Sequence, residues 1–246
     1  MSIKKGFAPA APQWARELAG ELQSVGMPAD AEIIYAGRNR VGRVSRGGHS
    51  LIIKEFRQPN VVNRYVYTTL RRSKARRSLE NACRLLAMGF ATPAPYLWLE
   101  KRRGLCLGLS YYVCEEVAGR DLRFLDSNPD TPRLLPALAA EMGRLHSAGV
   151  WHKDFSPGNV LYTPAAQGGF TFHYIDLNRM AFGVKSRRKL LSNFGMLAPR
   201  PEVEQIARLY APHSPFGLSA SEAAGEASAA RTRFLSTRPV ARTPRD

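Results

Sequence analysis

The segment WHKDFSPGNVLY, residues 151–162, sets a His, an Asp and an Asn in a short polar stretch between two apolar ones. A loop that exposes Asp154 can accept a proton from a substrate hydroxyl, and Asn159 on the same loop can present an amide oxygen to a hard cation such as Mg²⁺. His152, Asp154 and Asn159 fit the spacing H-x-D-x-x-x-x-N, and one strand later Ile175-Asp176-Leu177 sets a second acid where a metal-binding Asp is needed. The arrangement suits phosphoryl transfer, in which charge spreads over the transferred oxygens and positioning together with Mg²⁺ carries most of the catalysis. In this reading Asp154 and His152 are catalytic, and Asn159 and Asp176 hold the metal. Taken alone, the loop also reads as plain turn chemistry, because Asp, Ser, Pro, Gly and Asn are turn formers and a His beside a Trp is commonly packed.

The order of parts upstream decides between the two. GRNRVGRV, residues 37–44, matches G-x-G-x-x-G-x-V with Asn39 in place of the second Gly, which makes Gly37, Gly42 and Val44 nucleotide contacts. In the strand LIIK, alternation puts Ile52 and Lys54 on one face, the first to meet adenine and the second the α- and β-phosphates of ATP. Glu80, on the next helix, is placed to pair with Lys54, with Glu55 as its rival. Glu116 and Val117 fall at a hinge whose backbone would bind the adenine edge. Gly-rich hairpin, strand lysine, helix glutamate, polar connector, helix, polar loop and metal aspartate follow one another in the protein-kinase order.

The elements between these motifs give an α+β, protein-kinase-like fold of two lobes. Trp14, Leu18, Leu22 and Val25 recur at helical spacing, so residues 1–30 read as a helical extension. Residues 31–116 read as a sheet-rich, nucleotide-binding N-lobe, and residues 117–212 as a small catalytic C-lobe with Leu134, Leu138, Met142 and Leu145 on one helix face. Residues 213–246 are rich in Ala, Ser, Pro and Arg with few large apolar residues, which predicts a disordered basic tail.

Charge points to the partner. Thirty-six Lys and Arg against 20 Asp and Glu leave a formal +16, which favours a polyanion. The sequence shows no zinc-ligand set, RNP-like motif or helix-turn-helix signal, so nucleic acid is set aside. Cys83, Cys106 and Cys114 are odd in number and widely spaced, as reduced thiols inside a cell are. No apolar run reaches the length of a membrane span, and the N-terminus lacks a signal-peptide pattern. No feature specifies an oligomer.

Departures from the protein-kinase pattern narrow the acceptor. Ser156 stands where Ser/Thr protein kinases usually carry Lys, Asp176 is followed by Leu177 and Asn178 instead of Phe and Gly, and no A-P-E follows. Only about 36 residues separate Asp176 from the tail expected to be disordered, too few for an activation segment and a helical platform that docks a polypeptide, so a smaller acceptor is expected. Through NRYVYTTLRRSKARRSLENACRLLAMGFATPAP, GVWHKDFSPGNVLY and FHYIDLNRMAFG, the sequence resembles the lipopolysaccharide kinases that phosphorylate Kdo or heptose of the inner core. The resemblance runs from about residue 31 to residue 212. It implies ATP with Mg²⁺, and transfer to a sugar hydroxyl of an anionic glycolipid at the cytoplasmic face of the inner membrane. It also implies Asp154 as the catalytic Asp, Asn159 and Asp176 as metal ligands, and Lys54 with Glu80 as the nucleotide pair.

Between Glu55 and Glu80 the sequence has no acid but carries Arg57, Arg64, Arg71, Arg72, Lys74, Arg76 and Arg77, interleaved with Tyr65 and Tyr67. Either this is a solvated face, or Arg71, Arg72, Arg76 and Arg77 form a patch that captures acceptor phosphates or the anionic leaflet. Two other function classes stand beside the sugar kinase. One is a kinase-like phosphotransferase acting on a protein or another small molecule. The other is a nucleotide-binding pseudokinase, against which the retention of Lys54, Asp154, Asn159 and Asp176 argues.

Overall fold

LIIKEF has no exposed position and SYYVCE is buried almost throughout, as suits strands covered on both sides, and in the computed structural model both lie at the centre of one sheet. The structure describes residues 2–57, 72–104, 106–124, 128–197 and 200–237. The chain divides into two compact units, Met1–Ala118 with His173–Asn178, and Gly119–Phe172 with Arg179–Asp246.

The first unit contains, in chain order, β1 (Ser2–Phe7), α1 (Gln13–Ser24), β2 (Glu32–Ala36), β3 (Asn39–Arg46), β4 (His49–Phe56), α2 (Lys74–Ala87), β5 (Pro95–Arg103) and β6 (Cys106–Glu115). Its strands lie in the order β1-β5-β6-β4-β3-β2, every pair antiparallel. On one face Leu51, Ile53, Leu97, Leu99, Tyr111 and Val113 close over Leu18 and Leu22 of α1. On the other, Phe56, Trp98, Tyr112 and Cys114 meet Ala75 and Leu79 of α2. Each leucine fully buried in this way contributes about 1.5–3 kcal/mol.

The stretch 1–30 holds the expected helix, but it opens with a strand: β1 pairs with β5, Lys4 opposite Glu100. Lys4 and Lys5 side by side obscure the alternation, because an edge strand keeps its lysines in water and discourages further pairing. Val25, 71% exposed, lies beyond the end of α1 and outside its buried face.

The second unit contains β7 (Arg120–Asp121), α3 (Thr131–Ser147), β8 (Trp151–His152) and β9 (Val160–Pro164); β10 (Phe170–Tyr174) then carries the chain back into the first unit. After it come β11 (Met180–Ala181), α4 (Arg187–Leu191), α5 (Phe194–Leu197), α6 (Arg200–Tyr210) and α7 (Ala220–Ser236). The predicted face of α3 is the buried one, with Leu134, Leu138, Met142 and Leu145 in the core.

Helix α7 corrects the expectation of a disordered tail over 213–246. The Ser219 hydroxyl accepts from the Glu222 N–H while the Glu222 carboxylate accepts from the Ser219 N–H, so the helix starts in a capping box. Ala223, Ala224, Ala227 and Ala230 are buried against the neighbouring helices. A Cβ on Gly195 of α5 would sit 2.6 Å from the Ala230 carbonyl oxygen, so glycine there is what lets α7 come this close. Composition misleads because each alanine buries little area, whereas a seam of them brings two backbones together and recovers the difference as close contact. Residues 238–246 lie outside the described residues. Among those described, no helix is long and apolar enough to cross a membrane, and the three cysteines are free thiols.

Candidate active site

Sheet register sorts the residues expected to meet a nucleotide. Gly37 lies in the β2–β3 turn, its N–H donating to the Asn39 carbonyl at 3.0 Å, and Asn39 is already in the ladder opposite Phe56. From there Val41 falls opposite Lys54, Gly42 opposite Ile53, Arg43 opposite Ile52 and Val44 opposite Leu51. Directly opposed residues share a face, so Ile52 and Lys54 do lie together, on the α2 side, and Val41 lies with them. Gly42 and Val44 face the other way. Val44 is packed in the α1 core, and a Cβ on Gly42 would stand 2.8 Å from the Met27 sulfur. The expectation of Val44 beside Ile52 and Lys54 is therefore corrected: the strand begins before Gly42, and its phase gives that place to Val41.

The Lys54–Glu80 pairing is corrected too. Glu80 accepts from Arg72 Nη1 at 2.8 Å and from Arg76 Nε at 2.9 Å, and Lys54 makes no ion pair among the described residues. Glu55, the rival, is buried on the opposite face, where Arg40 approaches it at 3.7 Å. Cys114 lies opposite Ile52; burial pushes its thiol up to about 11, with the nearby Lys54 charge pulling the other way. At the end of β6 the Glu116 N–H donates to the Ser50 carbonyl at 2.8 Å. Its carboxylate accepts from Arg43 Nε at 2.8 Å and from the Ser50 hydroxyl at 2.7 Å, and the Arg43 guanidinium holds it below the usual carboxylate range. Glu116 thus locks three strands together by side chain and N–H, and half-buried Val117 follows it.

Asp176 belongs to the same unit and is its conformational exception. It has φ +56°, the left-handed region that a non-glycine residue enters at a cost of about 1–2 kcal/mol. Its Oδ1 accepts from the Asn178 side-chain amide. The adjoining Leu177 carbonyl accepts from Asn81 Nδ2 of α2 at 2.7 Å, which ties the segment to the residue after Glu80.

In the second unit the polar loop closes on itself. His152 is 1% exposed, its Nδ1 accepts the Asp154 N–H at 3.1 Å, and Asn159 Nδ2 donates to the Asp154 carbonyl at 2.8 Å. Both bonds go to the Asp154 backbone, and its half-buried carboxylate accepts no hydrogen bond among the described residues. Through its bond His152 holds the Asp154 backbone. Asn193 Nδ2 donates to the His152 carbonyl at 2.7 Å, and its Oδ1 lies 3.3 Å from His146 Nε2. His146 Nδ1 lies 2.9 Å from the Tyr210 hydroxyl. Burial pushes His146 down to about 4, so the imidazole is neutral. With Asn193 oxygen as acceptor, the network assigns the proton to Nε2 and makes Tyr210 the donor to Nδ1. Neither His146 nor Asn193 stands out in the sequence, since neither belongs to a motif with a recognisable spacing.

Of the basic patch expected over 71–77, Arg71 lies outside the described residues, as do Arg64, Tyr65 and Tyr67. Arg72 and Arg76 are engaged by Glu80, and the Arg76 guanidinium stacks 5.4 Å from the Trp98 ring centre. Arg77 is half-buried on α2.

Known proteins share this framework. WaaP, solved in complex with acyl carrier protein, is 19% identical with a TM-score of 0.62, over 96% of this chain and 99% of that one. The Rio2 kinase ADP/Mg²⁺-phosphoaspartate complex from Chaetomium thermophilum is 17% identical with a TM-score of 0.51, over 96% and 82%. A type VIII aminoglycoside-3'-phosphotransferase is 15% identical with a TM-score of 0.58, over 89% and 99%. At these identities the likeness is one of fold, the protein-kinase-like fold. No curated protein sequence matches the chain. The family match is more specific, because it runs through strand lysine, polar loop and second aspartate alike: over residues 35–208 the chain belongs to the lipopolysaccharide kinase (Kdo/WaaP) family, and is a phosphotransferase that uses ATP.

Proposed function

We propose that the protein transfers the γ-phosphoryl group of ATP to a sugar hydroxyl, of Kdo or heptose, on an anionic inner-core glycolipid. The observation that carries this reading is the Asp154 carboxylate, left without a hydrogen-bond partner among the described residues on a loop whose backbone is fixed on both sides of it. Asp154 takes the proton of the acceptor hydroxyl as its oxygen attacks phosphorus, and ADP leaves. Lys54 receives the α- and β-phosphates; Ile52 and Val41, on its face, receive the adenine, and Gly37 turns the hairpin above. The Glu116–Val117 segment presents backbone to the adenine edge.

The donor set fits Mg²⁺. Asn159 spends its amide nitrogen on the loop and keeps its oxygen, and Asp176 uses Oδ1 toward Asn178 and keeps Oδ2. No group of three or more His, Cys, Asp or Glu gathers among the described residues, as suits a cation that takes its remaining ligands from water and substrate phosphates. Bound there, Mg²⁺ would neutralise charge on the phosphates. The acceptor's lipid anchor makes the enzyme work at the cytoplasmic face of the inner membrane, where a net charge of +16 favours peripheral contact with anionic lipid.

Labelled ATP incubated with Kdo- and heptose-terminated core glycolipids, a protein substrate and small alcohols tests the reading. Mg²⁺-dependent label on one core sugar is the expected result. Label only on protein or small alcohols sinks the glycolipid assignment and leaves the kinase.

A further inference from the structure

A second basic surface lies directly beside Asp154. Antiparallel β8 and β11 pair His152 with Met180 and Trp151 with Ala181. Lys153 follows His152 and Arg179 precedes Met180, so both stand at the same end of this short ladder, the end from which Asp154 continues. His152 and Met180 point inward, 1% and 8% exposed. Just beyond the ladder, Lys153 and Arg179 are both exposed. The Lys189 ammonium lies 4.9 Å from the centre of the Trp151 ring, whose indole N–H donates to the Ser192 hydroxyl at 3.1 Å. Lys185 and Arg188, on the same connection, are exposed as well.

These cations are not spent on acids. Arg187 pairs with Glu226 at 2.9 Å, whereas Lys153, Arg179, Lys185, Arg188 and Lys189 have no acidic partner among the described residues. From Arg179 to Leu197 the sequence contains no Asp or Glu. Like charges gathered without acids repel one another unless an anion joins them, and Lys153 is next in the chain to the acid that we propose deprotonates the acceptor.

We infer that the outer face of the β8–β11 ladder and the connection to α4 bind an anionic group, phosphate or carboxylate, of the glycolipid acceptor and so bring its hydroxyl to Asp154. The inference rests on the glycolipid reading above and gives that reading its acceptor subsite. Lys153 and Arg179 form the near contact, and Lys185, Arg188 and Lys189 the rim.

Steady-state kinetics of the full chain test it with Arg179→Gln, Lys185→Gln and Arg188→Gln, singly and together. The acceptors are the intact core glycolipid and the same glycolipid with its phosphates removed and carboxylates reduced. The expected acceptor KM rises about fivefold per charge removed and roughly a hundredfold in the triple variant, with ATP KM and kcat at saturating acceptor little changed. On the stripped acceptor the gap between wild type and triple variant closes, and Arg179→Lys stays near wild type. An unchanged acceptor KM, a parallel rise in ATP KM, or an equal loss on both acceptors overturns the subsite. So does loss of binding to anionic vesicles that contain no acceptor, which would make the segment a general membrane patch. Wild-type protein that labels no glycolipid refutes the function itself, before any variant is compared. Should the triple variant fold poorly by circular dichroism, the single replacements of exposed side chains carry the same comparison.

Discussion

Asp154 and Asp176, the two acids on which the proposed chemistry depends, are held in opposite ways. Around Asp154 the backbone is fastened by His152 and Asn159 while the carboxylate stays unengaged among the described residues. At Asp176 the backbone itself is strained, with φ +56°, and the carboxylate is already engaged by Asn178. The contrast matches two tasks. A base must be free to take a proton, so its loop is fixed and its oxygens are left alone; a metal ligand must present a lone pair in one direction, so backbone and side chain are both set in advance. The supports differ accordingly. Behind Asp154 stands the buried chain Asn193–His146–Tyr210, and the Asp176 segment leans on Asn81 of α2.

The largest effect should come from Asp154→Ala, which removes general-base catalysis worth about 10²–10⁴-fold and leaves ATP binding nearly intact. Asp176→Ala should instead raise the Mg²⁺ concentration needed for nucleotide binding. Mg²⁺ titrations of both variants compare them directly, and equal Mg²⁺ requirements would erase the distinction between base and ligand.

Deleting residues 214–246 strips the alanine seam from the unit that carries Asp154. Stability should fall by roughly 4 kcal/mol, about 10 °C in Tm, as measured by thermal denaturation. A melting curve like that of the full chain would mean that α7 contributes nothing to the support of the loop.

Acid should loosen the same support. His146 is held neutral, with its value lowered from 6.5 to about 4, so the unfolded chain binds its proton first as pH falls. The stabilisation is complete above pH 6.5, is lost progressively between 6.5 and 4, and amounts to about 3 kcal/mol. Denaturant titrations across that window should show the loss, and His146→Gln should flatten it. The smallest effect is expected on the other side of the comparison: Asn81→Ala removes one hydrogen bond to the Leu177 carbonyl, about 1 kcal/mol, and should weaken Mg²⁺-dependent nucleotide binding only slightly.

Much of this was legible in the chain. Leu134, Leu138, Met142 and Leu145 at helical spacing are the buried face of α3, and alternation placed Ile52 with Lys54. Helix α7 was not legible, because small residues signal burial only when a partner such as Gly195 lets them approach. Nor was the phase of β3, since the spacing Gly37-x-Asn39-x-x-Gly42 does not reveal which residue first joins the ladder, and one residue of phase exchanges Val44 for Val41.

The sequence alone determined the kinase order of parts, the residues Lys54, Asp154, Asn159 and Asp176, and an excess of positive charge, because all of these are matters of residue identity and spacing. Only tertiary structure decided which charges remain available. Glu80 is bound by Arg72 and Arg76 on one helix face, while Lys153 and Arg179 flank one end of a two-residue ladder and make no ion pair among the described residues. Whether a charge is neutralised depends on distances of a few ångströms between segments far apart in the chain, and folding alone sets those distances.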